Sequence, residues 1–154
     1  MRAHLEEETV AQANAHFWEQ MLSMKMVSTP IPAEFCVPPG HFVASVELFG
    51  IWKGSVEVRI ARELGKSATA AMLMQPVEEL SEADTLDAVK EIANMIAGGI
   101  KSALPRPCSM KVPASALHLE KFCGTARTED SLTLAFQHEK GDLLIRVLEL
   151  EYPA

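Results

Sequence analysis

The sequence predicts an α+β domain, an antiparallel sheet with long helices packed on one of its faces. Residues 41–61 read as a β-hairpin, residues 81–104 as a long amphipathic helix, and residues 131–151 as a closing pair of strands. The strands form groups between helices instead of alternating with them one by one, a pattern typical of an antiparallel sheet. The length suffices for one hydrophobic core, so we expect residues 1–154 to form a single domain.

The first forty residues predict a helix followed by an extended connection. Residues 5–26 repeat apolar side chains at helical spacing, with Leu5, Phe17 and Met21 near one stripe. Residues 27–40 contain four prolines and end in Gly40, a composition that breaks helices.

Residues 42–60 alternate apolar and polar side chains on both sides of a turn between Gly50 and Gly54, which predicts a hairpin with one core face and one largely polar face. Trp52 at the hairpin tip is interpreted as a packing residue or a dimer contact.

Residues 62–75 predict a second helix that ends at Pro76.

The long helix has its own start and stop signals. Ser81 and Asp84 are candidates for the N-cap, acidic residues occupy the first turn, and Pro105 and Pro107 end the helix. The strands 131–138 and 143–151 then follow on either side of a turn at 139–142.

Composition excludes several classes of function. A net charge of -7 argues against nucleic-acid binding, which normally uses a basic face. No run approaches the roughly 20 apolar residues that span a bilayer, and the acidic N-terminus lacks an apolar signal core. We therefore expect a cytoplasmic protein with no membrane contact.

The cysteines and histidines do not predict a metal site. Cys36, Cys108 and Cys123 are odd in number and far apart, which fits neither a disulfide framework nor a zinc knuckle. We expect them to be buried, reduced thiols. The histidines form no HxH or HExxH pair, so the sequence predicts no metal ligands of its own.

The long helix carries an unusual stripe opposite its apolar arc. Asp87, Glu91, Asn94 and Gly98 follow one another at i, i+4, i+7 and i+11. Asn and Gly both weaken a helix, and no core position requires them here. Two interpretations remain open, a docking stripe and a merely tolerant surface helix with a kink. Gly99 lies off the stripe and is predicted to pack closely against another element.

These residues resemble a known family. The segment DAVKEIANMIAGGIK is similar to the signature of the CheX/CheC-type chemotaxis phosphatases, with Asp87, Glu91 and Asn94 as the matches and Pro113 in KVPASAL as the later proline. The resemblance extends over most of residues 10–150.

The sequence departs from the family pattern in two places. The spacing from Asn94 to Pro113 is shorter than usual, which implies a trimmed loop. Ala11 stands three residues before Asn14, where double-site members carry Glu, so the chain resembles the single-site, CheX-like branch.

The resemblance implies a phosphatase that removes the phosphoryl group from the aspartate of a CheY-like receiver domain. It implies that Asn94 positions the attacking water and that Glu91 pairs with a receiver cation. Asp87, Gly98 and Pro113 would contact the receiver, although Asp87 is equally well interpreted as an ordinary acidic residue near the N-terminus of the helix. The receiver would hold the Mg²⁺, so the chain would need no cofactor of its own.

It further implies a homodimer joined through the sheet, for which the hairpin 42–60 and the strand 142–150 offer apolar edges. Two alternatives to the phosphatase remain open. One is a non-catalytic module that binds a receiver or a flagellar-switch component, and the other is a structural dimerisation module with a vestigial site.

Overall fold

The computed structural model describes residues 5–151, in which three α-helices pack on one face of a seven-stranded antiparallel sheet. The predicted α+β class and the antiparallel sheet are confirmed. The helices are α1 (Glu7–His16), α2 (Arg62–Leu73) and α3 (Glu82–Lys101). The strands are β1 (Val27–Thr29), β2 (Glu34–Val37), β3 (His41–Gly50), β4 (Lys53–Ile60), β5 (Cys108–Met110), β6 (Ala114–His118), β7 (Phe122–Thr125), β8 (Ser131–His138) and β9 (Gly141–Glu151).

The long helix α3 begins at the predicted N-cap. Ser81 caps α3 in a capping box, in which its side chain accepts from the Asp84 backbone N–H and the Asp84 carboxylate accepts from the Ser81 N–H. The first helix is shorter than the predicted range 5–26. The α-helix α1 ends at His16, a π-helical segment follows at Phe17–Met21, and the first strand begins at Val27. Among residues 5–151, no helix is both long and apolar enough to cross a bilayer.

The strand order is β1-β8-β9-β4-β3, with β5 and β6 one after the other along the outer side of β3. The hairpin β3–β4 and the strand β9 are therefore interior strands, and the expectation that 42–60 and 142–150 provide the free edges was wrong. The physical reason is the long-range pairing of β4 with β9, for example Val58 opposite Ile145, which alternation within either strand does not reveal.

The main core lies between the helices and the facing side of the sheet. Phe42, Val46 and Val58 alternate inward as predicted and pack in one cluster with Ile92 and Ile96 of α3. Such alternation places every second side chain on the same face of a strand.

Trp52 is fully buried, and its indole Nε1–H donates to Glu149 Oε2 at 2.8 Å. The packing interpretation of Trp52 is therefore confirmed.

A second, smaller layer covers part of the opposite face. The residues predicted as a plain extended connection contain β1, which extends the main sheet beside β8, and β2, which pairs with β7. The two-stranded sheet β2–β7 lies over the outer face and buries Phe35, Val37 and Leu144. The outer face is therefore not simply solvated, and Arg59 on it is only 4% exposed.

The cysteine prediction was wrong for two of the three residues. Cys36 and Cys123 form a disulfide, and both are exposed. They are 87 residues apart in the chain but lie directly opposite each other in β2 and β7. Cys108 is the free, buried thiol that was expected, and burial raises its pKa. Only the pairing of two distant strands decides which cysteines meet.

Candidate functional site

The candidate site is the outward face of α3, which the core holds in a fixed position. One side of the helix is buried against the sheet and the neighbouring helices through Ala88, Val89, Ile92, Ala93, Ile96, Ala97 and Ile100. The opposite side presents Asp87, Glu91, Asn94 and Gly98, of which the first two are exposed and the last two half-buried. At a rise of about 1.5 Å per residue, this stripe extends roughly 16 Å along the helix.

Two members of the stripe have no side-chain partner within the part of the chain that the structure describes. Neither Glu91 nor Asn94 makes a side-chain hydrogen bond or ion pair with another residue of the described range 5–151. They are one helical turn apart, at i and i+3, so their Cβ atoms lie about 5–6 Å from each other. Asp87 differs, because its carboxylate lies 3.4 Å from Lys90 Nζ. A partner would therefore find Glu91 and Asn94 available and Asp87 already partly neutralised.

The two glycines of the stripe region have different environments. A Cβ added to Gly99 would lie 3.1 Å from the Cβ of Ala13, so Gly99 permits close approach of α1, as predicted. A Cβ added to Gly98 would meet no atom within 4 Å. Packing within residues 5–151 explains Gly99 but not Gly98. At Gly98 the helix backbone is not covered by a side chain, at the C-terminal end of the stripe.

Asn14 shows what a structural asparagine looks like in this fold. It is fully buried in α1, and its Oδ1 accepts a hydrogen bond of 2.9 Å from Trp18 Nε1–H. A carboxamide in this position cannot reach a partner protein. Asn94, half-buried and unpartnered on α3, therefore differs from Asn14 in both exposure and hydrogen bonding.

Two grooves of opposite charge lie at the ends of the stripe. The groove at the N-terminal end, between α2 and α3, has a volume of about 270 Å³ and is lined by Asp84, Asp87 and Glu91 together with Met72 and Leu73. The groove at the C-terminal end has a volume of about 460 Å³, and its lining includes Gly98, Lys101, Ser102 and Arg106. The face is therefore acidic and partly apolar at one end and basic at the other.

A third groove follows the junction of α1 and α3 beside the stripe. Its volume is about 530 Å³, and Met21, Met95 and His16 contribute to its lining. The three grooves border the stripe at Glu91, at Gly98 and beside Met95, and Asn94 itself lines none of them.

Pro113, the other predicted contact residue, lines none of these three grooves. It lies between β5 and β6, the two segments that follow the outer side of β3. Ser115 Oγ–H donates to the backbone carbonyl of Leu86 at 2.7 Å, which ties β6 to the first half of α3. Because proline cannot donate to a ladder, the position between two edge segments suits it, and its contact with a partner stays a prediction.

The sequence interpretation missed the charged and apolar residues that flank the stripe. Lys101 and Arg106 share a groove, although a turn separates them, and Met72 with Leu73 comes from a different helix. The signal that was available is a pair of cations, Lys101 as the last residue of α3 and Arg106 five residues later. Their common direction depends on how residues 102–107 fold back, which no local pattern specifies.

No group of three or more His, Cys, Asp or Glu side chains within residues 5–151 is arranged to hold a metal ion. The acidic groove brings three carboxylates to one surface without forming such a group.

Comparison with known proteins identifies the family. The model of the family described as "Chemotaxis phosphatase CheX" matches residues 42–136, more than half of the chain. The chain belongs to the CheX family. The matched segment contains all of α3, so Glu91 and Asn94 lie inside it, whereas α1 lies outside it. Among curated proteins, none matches the sequence.

Solved structures of CheX-type proteins share the fold along almost the whole chain. A CheX protein from Vibrio vulnificus is 18% identical, with a TM-score of 0.74 over 96% of this chain and 99% of that chain. A CheC-like superfamily protein from Shewanella sp. PV-4 is 17% identical, with a TM-score of 0.74 over 94% and 96%.

A third structure is a complex of CheX with CheY, BeF3 and Mg²⁺ from Borrelia burgdorferi. It is 16% identical, with a TM-score of 0.66 over 94% of this chain and 97% of that chain. At these identities the three structures establish the CheX fold and no residue roles.

Proposed function

We propose that this CheX-family chain is a phosphatase of phosphorylated, CheY-like receiver domains and works in the cytoplasm in chemotaxis or related two-component signalling. The observation that carries the proposal is that Asn94 and Glu91, one turn apart on the outward face of α3, have no side-chain partner among residues 5–151. The Borrelia burgdorferi complex of CheX with CheY supports the choice of partner.

Asn94 is suited to positioning a water molecule against an aspartyl phosphate. An acyl phosphate is already reactive, so catalysis mainly requires a correctly placed nucleophile in line with the leaving oxygen. A carboxamide can accept a hydrogen bond from that water and donate another without becoming charged. The buried side of α3 keeps the Asn94 backbone in place, which favours such positioning.

Glu91 would pair with a cation of the receiver beside its phosphoryl group. Such a pair at a partly exposed surface fixes the relative orientation of two proteins more than it adds affinity. Gly98, with open space where a side chain would stand, would let receiver backbone approach the helix closely. We place the Mg²⁺ with the receiver, so the chain would need no cofactor of its own.

The acidic and basic ends of the outward α3 face favour one docking orientation of the receiver. The basic groove, with Lys101 and Arg106, would meet carboxylates of the receiver, because a protein that holds Mg²⁺ does so with carboxylate oxygens. The acidic groove with Met72 and Leu73 would meet a basic and apolar segment. The reverse orientation would place like charges opposite each other, which is unfavourable.

The deciding experiment compares two asparagine variants on phosphorylated receivers from the same genome. We expect Asn94→Ala to lower the dephosphorylation rate at least about 100-fold, as loss of a positioned catalytic hydrogen-bonding group does, while receiver binding persists. Stability should be unchanged or slightly higher, because Ala is the better helix former.

Asn14→Ala is the matched control, with the opposite expectation. It removes the buried bond to Trp18, so it should lower stability by about 1 kcal/mol or more and leave turnover per folded molecule unchanged. Wild-type turnover by Asn94→Ala would refute the role of Asn94. Binding of a phosphorylated receiver without turnover by the wild-type chain would favour the non-catalytic module.

A further inference from the structure

The disulfide lies on the outer surface of the two-stranded sheet β2–β7, here called the β2–β7 cover. Cys36 stands directly opposite Cys123, and the neighbouring cross-strand pair on the same side is Glu34 with Thr125, whose hydroxyl donates to the Glu34 carboxylate at 3.1 Å. Both cysteines are exposed. The disulfide therefore lies on the solvent-facing side of the cover.

The inner surface of the cover rests on a charged cluster. Phe35 and Phe122 alternate inward with their ring centroids 5.9 Å apart. The Phe122 ring lies over two guanidinium groups, with its centroid 3.7 Å from Arg59 Cζ and 5.1 Å from Arg146 Cζ. Cys123 of the disulfide is thus the chain neighbour of the aromatic residue that covers the buried Arg59 and the partly exposed Arg146.

Some polar groups of the charged cluster have no hydrogen-bond partner among the described residues while the cover is closed. Glu57 pairs with both arginines, at 2.6 Å to Arg59 and 3.0 Å to Arg146. The Nε–H groups of both arginines are nevertheless buried with no hydrogen-bond partner among residues 5–151. Burial lowers the pKa of Arg59, and the adjacent Glu57 opposes that shift. Opening the cover would return water to these groups, so the cluster favours the open arrangement and offsets part of the lost aromatic packing.

Besides the disulfide, the β2–β7 ladder and the packing of Phe35 and Val37 against Leu144 hold the cover closed. A two-stranded sheet is marginal by itself, and β2 and β7 belong to distant parts of the chain, so the disulfide supplies their covalent connection. We propose that Cys36 and Cys123 form a reversible thiol–disulfide site, whose substrate is a dithiol reductant or a disulfide oxidant, and that this site controls opening of the β2–β7 cover over Glu57, Arg59 and Arg146.

The exchange is balanced by the reductant. One thiolate of the dithiol attacks a sulfur of the Cys36–Cys123 bond and forms a mixed disulfide, releasing the other cysteine as a thiolate. The second thiolate of the reductant then resolves the mixed disulfide. The protein gains two electrons and two protons, and the reductant leaves as its own disulfide. A disulfide oxidant reverses both steps. Exposed disulfides are the labile ones in such exchange.

The test measures hydrogen exchange and thiol labelling on the full chain, oxidised and after reduction with dithiothreitol. The oxidised protein should alkylate at neither Cys36 nor Cys123. Reduction should speed exchange at least ten-fold in peptides that cover 34–37 and 122–125, while α3 peptides keep their protection. Reoxidation of the same sample should restore the original exchange.

Cys108→Ser is the matched control, because it removes the one free thiol and keeps the disulfide. It should behave as the wild type in both redox states. Free Cys36 and Cys123 in the oxidised sample, or unchanged exchange of the cover after reduction, would overturn the proposal. Equal loss of protection in the cover and in α3 would also overturn it, since the disulfide would then stabilise the whole domain. No receiver enters this test, so its outcome is independent of the proposed function.

Discussion

At the scale of single residues, adjacent glycines in one helix serve different purposes. Gly99 makes room for Ala13 of α1, whereas Gly98 faces open space. A Gly in a helix interior costs roughly 1 kcal/mol relative to Ala. Internal packing explains Gly99, whereas no packing within residues 5–151 explains Gly98, and we interpret Gly98 as part of the docking face.

This difference predicts opposite outcomes for two Ala variants. Gly98→Ala should raise the free energy of unfolding by about 1 kcal/mol, because nothing obstructs the new methyl group. It should also weaken receiver binding, and Gly98→Leu should weaken it further. Chemical denaturation and binding titrations check both effects. A Gly98→Leu variant with wild-type affinity would remove Gly98 from the docking face.

Gly99→Ala is the control for that series. Its methyl group would meet Ala13 at 3.1 Å, so α1 must shift by a few tenths of an ångström. We expect this adjustment to cancel the gain in helix propensity, leaving Gly99→Ala less stable than Gly98→Ala. The reverse order of stability would contradict the packing interpretation of Gly99.

At the scale of elements, α3 combines a structural face with a polarised outer face. The core side fixes the helix axis and rotation, and the capping box fixes its first turn. The outer face then changes from acidic to basic along the helix. An exposed Glu such as Glu91 is common on a solvated helix face. Asn94 and Gly98 weaken the helix without filling its core, so these two residues are the ones that favour a docking role.

Glu91 should act through electrostatic steering. Glu91→Gln should slow association with the receiver, and the defect should shrink as salt rises, because screening sets in over a Debye length of about 8–10 Å near physiological ionic strength. Turnover measured against receiver concentration at two salt levels tests this. Asn94→Ala changes no charge, so its defect should not depend on salt. A Glu91→Gln variant that is neutral at low salt would make Glu91 a solvated helix residue.

At the scale of the whole molecule, the sheet has two outer sides within the described residues. One is formed by β1 beside β8, and the other by β5 and β6 beside β3. Exposed apolar side chains mark both sides: Val27 in β1 is 54% exposed, and Val112 and Leu119, which flank β6, are 90% and 74% exposed. Unpaired strand edges invite pairing with another chain.

We therefore predict a homodimer in which two copies meet at one of these sides of the sheet through a two-fold axis. Sedimentation equilibrium at micromolar concentration should give twice the chain mass. Val112→Lys and Val27→Lys each place a charge at one edge, and the variant that shifts the equilibrium toward monomer identifies the interface. A wild-type protein of monomer mass at tens of micromolar would rule out the dimer.

The sequence by itself determined the elements whose signals are local. The alternation of residues 42–60, the cap at Ser81 and the apolar arc of α3 each follow from side chains a few positions apart, so the helices, the hairpin and the outward stripe could be predicted. The outward position of the exposed Glu91 and of the half-buried Asn94 follows from the same helical periodicity.

Only the tertiary structure decided the features that join distant segments. The interior position of β9, the β2–β7 cover, the Cys36–Cys123 disulfide and the meeting of Lys101 with Arg106 in one groove all depend on contacts between segments that local pattern does not connect. The pairing of strands and the direction of loops depend on the free energy of the whole core, because apolar side chains must be buried and backbone groups hydrogen-bonded at the same time. No short window of sequence contains that information, so the edges and the state of the cysteines could not be predicted.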